Sequence, residues 1–505
     1  MRIHALILAR DEEHNLAECI GSLRGCADDI TVFDTGSRDA TMARAQALGA
    51  ACIALPWSDD FAAVRNAAFA QLAGDWVLVM DADERFADAD RTRLRALLHQ
   101  ASASTSALHV EIRSYTSDVE ALGYQGAAPT GEWDANLHGY VPEIQPRLLR
   151  PLRGLRWHGR VCESLCTADG VPVPLVAPVA AVVQHHREAQ TTERREQRER
   201  LRLRLALQEW LENADAAAAG RLGALLNQQR RFHAALPYLR AAARGGAASP
   251  ALHLQTGVAQ FAIGLVEGAT SSLRLAWQEL HGHPEIAAHL ARALLRGERP
   301  EAWAEAGELL EAALDQAPEL DLAVHQRAVW HRKRHEFGES RAYLQTLLDR
   351  HPGHPTALRE LGVVALLQGQ MGEAERSLQQ ACRQRPEDAE AWNNLGCVLE
   401  RRGLWKAAHA AFARAVRLAP GEGNLLRNLC LAEAECGDHA ALRQHATAML
   451  AASSQPESAL RQLRERLLDA GWIDALRDLE TWAVGTRWLS EENCILTPEE
   501  PRAIR

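Results

Sequence analysis

Apolar residues follow two rhythms along this chain, and the change between them divides it. Ile3 to Ala9 reads as a buried strand, and Leu16, Cys19, Ile20 and Leu23 mark one face of the helix after it. Ile30 to Phe33 is the second strand, ending in Asp34-Thr35-Gly36-Ser37. Asp39 to Leu48 is helical, and Gly49 stops it. Ala51 to Leu55 is the third strand, and Asp60 to Leu72 is a helix with Gly74 after it. Trp76 to Met80 is an unbroken apolar run, the mark of a strand buried on both faces of a parallel sheet. Strand and helix in alternation predict a doubly wound half-domain for a nucleotide. Further on, Leu108 to Ile112 and Val179 to Val183 read as strands. The polar stretch from Gly123 to Pro142, with Trp133, reads as a loop.

The second rhythm is helical throughout. Between Thr191 and Asn213, Arg194, Arg195, Arg198, Arg200, Arg202 and Arg204 are interleaved with Glu. That pattern predicts a long solvated helix with internal ion pairs. Leu203, Leu207 and Trp210 form a stripe to pack it onto the repeats behind it. From about Ala216 the chain repeats. Gly223 and Gly257 are thirty-four residues apart, as are Gly362 and Gly396, which is the tetratricopeptide period. The unit ending at Pro420 is the clearest, with Trp392, Leu395, Gly396, Ala408, Phe412 and Ala415 at their expected slots. Earlier units keep the second-helix signature, as in Ala306, Leu310, Ala313 and Ser340, Leu344, Leu347. About seven units fit. The expected organisation is an α/β domain at 1–190, a charged linker helix at 191–215, an all-α repeat solenoid at 216–456, and a helical cap and tail at 457–505.

Composition narrows the function. A chain of 505 residues that is 47% hydrophobic has room for two or three domains and is globular. A net charge of −10 argues against a general nucleic-acid binder. The opening apolar run is too short for a signal peptide and lacks a cleavage site, and no run approaches membrane-spanning length. The 10 cysteines form no Cys-x-x-Cys pair. With no export signal they read as reduced, partly buried thiols, and the expected location is cytoplasmic.

Candidate chemistry concentrates where the fourth strand ends, in Asp81-Ala82-Asp83-Glu84. Ligands of open α/β sheets lie at the carboxyl ends of strands. Asp81 and Asp83 are two apart, so in an extended segment both carboxylates point to one side and can hold a hard divalent cation that binds diphosphate oxygens. A sugar-nucleotide pyrophosphorylase shares this architecture but needs a Gly-rich loop after its first strand. Here that loop is Arg10-Asp11-Glu12-Glu13.

The pattern Trp57-x-Asp-Asp60-Phe61-x-x-x-Arg65-Asn66, followed by Asp75-Trp76, an apolar run and Asp81-Ala82-Asp83-Glu84, resembles the donor-site region of family 2 glycosyltransferases. The segments Arg147-Leu-Leu-Arg150 and Gly159-Arg-Val161-Cys162-Glu163-Ser-Leu165 resemble later family stretches, with Cys162 where a His is usual. The resemblance implies a GT-A fold with a tetratricopeptide array behind it. It also implies an inverting, hexosyl-type transfer from a nucleotide sugar, a UDP-sugar first, with Mn²⁺ or Mg²⁺. It implies Arg10, Asp34, Arg65 and Asp81 as donor-binding residues, Asp81, Asp83 and His185 as metal ligands, and Glu163 as the catalytic base.

Tetratricopeptide arrays present a groove to extended peptides or partner helices. The expected acceptor or partner is therefore a polypeptide, recognised within 216–456. A lipopolysaccharide or other glycan acceptor, or a binding scaffold with an inactive transferase domain, are the alternatives. On this reading, a chain ended near Ala189 hydrolyses its donor yet fails to modify the acceptor.

Overall fold

The computed structural model describes residues 1–86, 88–102, 104–116, 118, 121–126, 139–151, 154–174, 182–186, 192–297, 299–486, 488–490 and 493–495. Trp133, residues 179–181 and the tail from 496 onward lie outside the described residues. The chain divides into two compact units, Met1–Gln326 and Arg327–Arg505. The division falls inside the repeats, so the first repeats fold with the α/β domain as one unit.

The α/β part opens as its apolar pattern dictates: β1 (Ile3–Ala9), α1 (Leu16–Leu23), β2 (Asp29–Asp34), α2 (Thr41–Ala47), β3 (Ala51–Ala54), α3 (Phe61–Phe69) and β4 (Trp76–Asp81). It continues through β5 (Glu84–Phe86), α4 (Asp88–Gln100), β6 (Ala107–Thr116), β7 (Gln125–Gly126), β8 (Gly139–Leu149), β9 (Arg156–His158), β10 (Ser164–Cys166) and β11 (Val182–His186). Among the described residues, nine strands form one sheet in the order β3-β2-β1-β4-β8-β6-β11-β5, with β7 on β8; β9 and β10 form a separate hairpin. The first four strands are parallel, the doubly wound half that the alternation predicts. Beyond β4 the sheet is mixed, because β8 runs antiparallel to β4 and β6, and β5 antiparallel to β11.

Side chains of β1 and β4 alternate between two cores. Ile3, Ala5, Ile7, Leu78 and Met80 meet α1 and Leu94 of α4 on one face. Leu6, Val77 and Val79 meet Ala62 and Phe69 of α3, and Trp157, on the other. Parallel register pairs Leu8 with Asp81 and Ala9 with Asp34. The carboxyl ends of β1, β2 and β4 thus finish at one edge, where the polar loops begin.

Helix α5 (Thr192–Asn213) comes next. It buries Leu205 and Ala206 against Leu222 and Leu226, with Leu203 and Trp210 packed at the margin. Leu207, expected in the packing stripe, is instead 40% exposed. After it come α6 (Ala216–Gln228), α7 (Phe232–Arg244), α8 (Pro250–Ala262), α9 (Val266–Glu279), α10 (Pro284–Arg296), α11 (Pro300–Gln316), α12 (Asp321–Lys333) and α13 (Phe337–Arg350). The second unit continues with α14 (Pro355–Leu367), α15 (Met371–Gln384), α16 (Ala389–Arg401), α17 (Trp405–Leu418), α18 (Gly423–Cys436), α19 (His439–Ala452), α20 (Pro456–Asp469) and α21 (Ile473–Gly485).

The glycine spacing has a packing cause. A Cβ on Gly223 would stand 2.7 Å from Leu239 Cδ2, on Gly257 2.5 Å from Leu273 Cγ, and on Gly396 2.4 Å from Phe412 Cε1. In each pair the first helix approaches the second at a point only glycine fits. Past residue 456, where a cap is expected, α20 and α21 form a further pair. Their Leu460, Leu463, Leu476 and Leu479 join the same core as Leu442 and Leu450 of α19. Among the described residues no helix is long and apolar enough to cross a membrane.

Candidate active site

The turn after β4 is the floor of the site. β4 ends at Asp81, Ala82 and Asp83 turn, and β5 starts at Glu84. The two aspartates are therefore not in one extended segment, contrary to the sequence expectation. The bend is held by Glu84, whose Oε2 accepts the Asp81 N–H at 2.9 Å. It is held also by β5, which pairs Glu84 with His185 of β11. Asp81 and Asp83 consequently face different partners.

Asp81 lies between two guanidiniums. Its Oδ1 is 3.7 Å from Arg65 Nη2 and its Oδ2 is 3.5 Å from Arg147 Nη2. Desolvation pushes the Asp81 carboxyl up, and Arg147 and Arg65 together hold it below its ordinary range. Arg147, buried on β8, also pairs with Glu84. Burial raises the Glu84 carboxyl more than Arg147 lowers it.

Asp83 is buried, and its Oδ2 lies 3.4 Å from His185 Nε2 and 3.1 Å from Arg198 Nη1 of α5. Desolvation works against its charge, yet His185 and Arg198 outweigh it and keep the carboxyl far below the usual range. The other ring nitrogen of His185 is 3.0 Å from Ser114 Oγ on β6, its neighbour in register. Ser114 thereby orients the ring toward Asp83.

Glu163 reaches the same cluster from the far end of the domain. Its Oε1 is 3.4 Å from both Nε and Nη2 of Arg65, the guanidinium that also faces Asp81. Arg65 in turn lies 5.7 Å from the centre of the Trp157 ring. The intervening loop turns at Cys162, whose φ of 53° is left-handed, and Arg202 Nη2 is 3.5 Å from its sulfur.

Two expected donor-binding residues are placed differently. Asp34 accepts from the N–H groups of Gly36 at 3.2 Å and Ser37 at 3.1 Å, and from the Ser37 hydroxyl, so its carboxylate closes the turn. The Arg10 side chain is exposed, while its carbonyl accepts from Arg194 at 3.2 Å. Other members of the quoted pattern turn out to be structural. Asp60 caps α3 by accepting from Ala63 N–H at 2.9 Å, and the Trp57 indole donates to Asp59 at 2.7 Å.

Sequence reasoning misses Ser114 and the roles of Arg147 and Arg198. A signal for the last exists: Arg194, Arg198 and Arg202 are four apart, the spacing of a single helix face. The interleaved pattern predicts only internal ion pairs for the linker helix. Arg200 with Glu196, at 2.8 Å, makes one, whereas Arg198 crosses to Asp83.

Among the described residues no three His, Cys, Asp or Glu side chains converge as a metal cage. The donor chemistry nevertheless fits a hard divalent cation held partly by a ligand's phosphates. Such a cation needs only one or two protein carboxylates, and Asp83 offers a buried ionised oxygen beside the His185 nitrogen.

Residues 5–142 match the model of glycosyl transferase family 2, and residues 325–382 and 368–423 match that of the tetratricopeptide repeat. A TPR repeat-containing protein of Synechococcus elongatus is 31% identical over 260 residues, covering 50% of this chain and 59% of that one. A protein of Rickettsia felis described as an uncharacterized glycosyltransferase is 35% identical over 83 residues, covering 16% of this chain and 29% of that one. The chain thus spans less than two thirds of the length of these relatives. The crystal structure of the APC/C hetero-tetramer Cut9-Hcn1 aligns with 52% of each chain at 16% identity and a TM-score of 0.39. The chain carries a family 2 glycosyltransferase domain at its N-terminus and tetratricopeptide repeats behind it.

Proposed function

We propose that the N-terminal domain moves a hexosyl unit from a nucleotide sugar, a UDP-sugar first, to a polypeptide recruited by the repeats, with inversion at the anomeric carbon and in the cytoplasm. The observation that carries this reading is the Arg65 guanidinium lying between Asp81 and Glu163 at the carboxyl edge of the sheet. An acid that can take a proton and a cation that can meet a leaving diphosphate are adjacent there.

In this mechanism Glu163 removes the proton of the acceptor's nucleophile as it bonds to the anomeric carbon. The bond from that carbon to the diphosphate oxygen breaks on the opposite side. Arg65 holds the Glu163 carboxylate in place. Asp83 and His185 would hold a Mn²⁺ or Mg²⁺ ion, which supplies charge neutralisation of the departing nucleotide. Ser114 keeps the His185 ring turned to Asp83.

Incubating the full chain with a panel of nucleotide sugars and Mn²⁺, and following release of nucleoside diphosphate, tests the reading. One donor should be hydrolysed well above the others, and the release should stop with chelator. No hydrolysis and no binding across the panel would sink it.

A further inference from the structure

Helix α5 does more than join two domains. Arg194 donates to the carbonyls of Arg10 and Asp11 and lies 3.4 Å from Glu12 Oε1. One turn on, Arg198 meets Asp83 at 3.1 Å, and a further turn on, Arg202 meets the Cys162 sulfur at 3.5 Å. This single face therefore crosses the loop after β1, the turn after β4 and the loop that carries Glu163.

In each of the first two pairs the arginine is the more exposed member. The Arg198 side chain is 50% exposed against 4% for Asp83, and Arg194 31% against 10% for Glu12. The guanidiniums thus stand between the acids and solvent. Arg65 and Arg147 are nearly buried and already shared among Asp81, Glu84 and Glu163. An entering polyanion meets the α5 row first, and without it would face a floor of carboxylates.

Building on the transferase reading above, we propose that α5 is the cationic wall of the donor site, with Arg198 and Arg194 passing from their carboxylates to the diphosphate of the nucleotide sugar. Arg198 brings five N–H donors in a planar fork, a geometry that matches phosphate oxygens. Its exchange of Asp83 for phosphate takes one cation off the carboxylate that, with His185, would hold a divalent ion. The α/β domain alone then lacks part of its donor site. A chain ended near Ala189 would fail at donor binding as well as at acceptor modification.

The test is the affinity of the full chain for UDP in the presence of Mn²⁺, by titration calorimetry, with GDP, CDP and ADP as the alternative probes. Arg198→Gln and Arg194→Gln should each weaken binding of the preferred diphosphate about tenfold or more. Arg198→Lys should recover part of the loss, and the salt dependence should flatten in Arg198→Gln. Arg200→Gln, on the helix's outer face, should bind as the unaltered chain does. Unchanged affinity in both Arg198→Gln and Arg194→Gln would overturn the proposal. Tighter binding in Arg198→Gln would overturn it too, since the arginine would then be a plug. If the unaltered chain binds none of these diphosphates, the transferase reading falls first and this proposal with it.

Discussion

Asn66 and Trp157, 91 residues apart, exchange two hydrogen bonds of 2.9 Å: the Asn66 amide donates to the Trp157 carbonyl and accepts from its N–H. Side-chain amide and backbone complete each other as neighbouring strands do. The bond pair ties the β9–β10 hairpin to α3, and so sets Glu163 beside Arg65.

Replacing Asn66 by Ala should therefore loosen a hairpin rather than unfold the domain. Leaving the Trp157 N–H and carbonyl unpaired costs roughly 1–3 kcal/mol. Amide hydrogen exchange should rise at residues 156–166 while β1 and β4 stay protected. Uniform loss of protection across the sheet would contradict a local tether.

Glu163 and Asp83 should separate kinetically. Glu163→Gln keeps a hydrogen bond to Arg65 but cannot take a proton, so kcat for transfer should fall by about 10²–10⁴-fold with KM for the donor little changed. Asp83→Ala removes the buried carboxylate, and donor hydrolysis should fall at least about 100-fold, together with Mn²⁺-dependent UDP binding. Near-normal turnover of Asp83→Ala under chelator would remove the metal from the mechanism.

Much of the site is legible in the sequence and its wall is not. A buried apolar strand ending in acids is a strong local signal, and β4 with Asp81 to Glu84 stands where the run from Trp76 places it. The repeats are legible because Gly396 and its equivalents answer a steric demand at constant spacing. Arg198 is hidden because Arg interleaved with Glu on a helix looks the same whether it faces water or a buried Asp83. Asp34 and Asn66 carry strong motif signals, yet their side chains serve a turn and a hairpin. The helix pair past 456 is hidden because α20 carries no glycine at the slot that Gly223, Gly257 and Gly396 fill.

Stability of the first unit should depend on pH through Glu285, in the first turn of α10. Burial pushes its carboxyl from 4.5 up to about 7, against a hydrogen bond from the Gly123 N–H. His289, 4.0 Å away, is held neutral by its own burial. The folded state thus binds the proton more tightly than the unfolded one. This stabilisation is complete below about pH 4.5 and lost as pH rises through 7, a span of about 3 kcal/mol. Glu285→Gln should melt like the unaltered chain at pH 4.5 and later than it at pH 8. Parallel melting curves for the two proteins across that range would refute the assignment.

Gly396→Ala should destabilise the second unit, since the new methyl would meet Phe412 at 2.4 Å. Overpacking of this kind costs roughly 1–3 kcal/mol. Phe412→Leu in the same chain should restore part of the loss, which thermal melting would read directly. Additive losses in the double variant would mean that the contact is not the cause.

Helix α5 carries Arg198 toward Asp83 and, about two turns later, Leu205 and Ala206 into the core with Leu222. Each added residue rotates a helix by about 100°, so Arg198 and Leu205 keep their nearly common direction only at certain separations. One inserted residue between them would turn either the guanidinium or the leucine to the wrong side. Seven would bring the angle back to within about 20° but lengthen the helix by about 10 Å. The number of residues between Arg198 and Leu205 is thereby a phase constant of the protein. A single deletion along this stretch shifts that phase, whereas a substitution at the outward Arg200 leaves it intact.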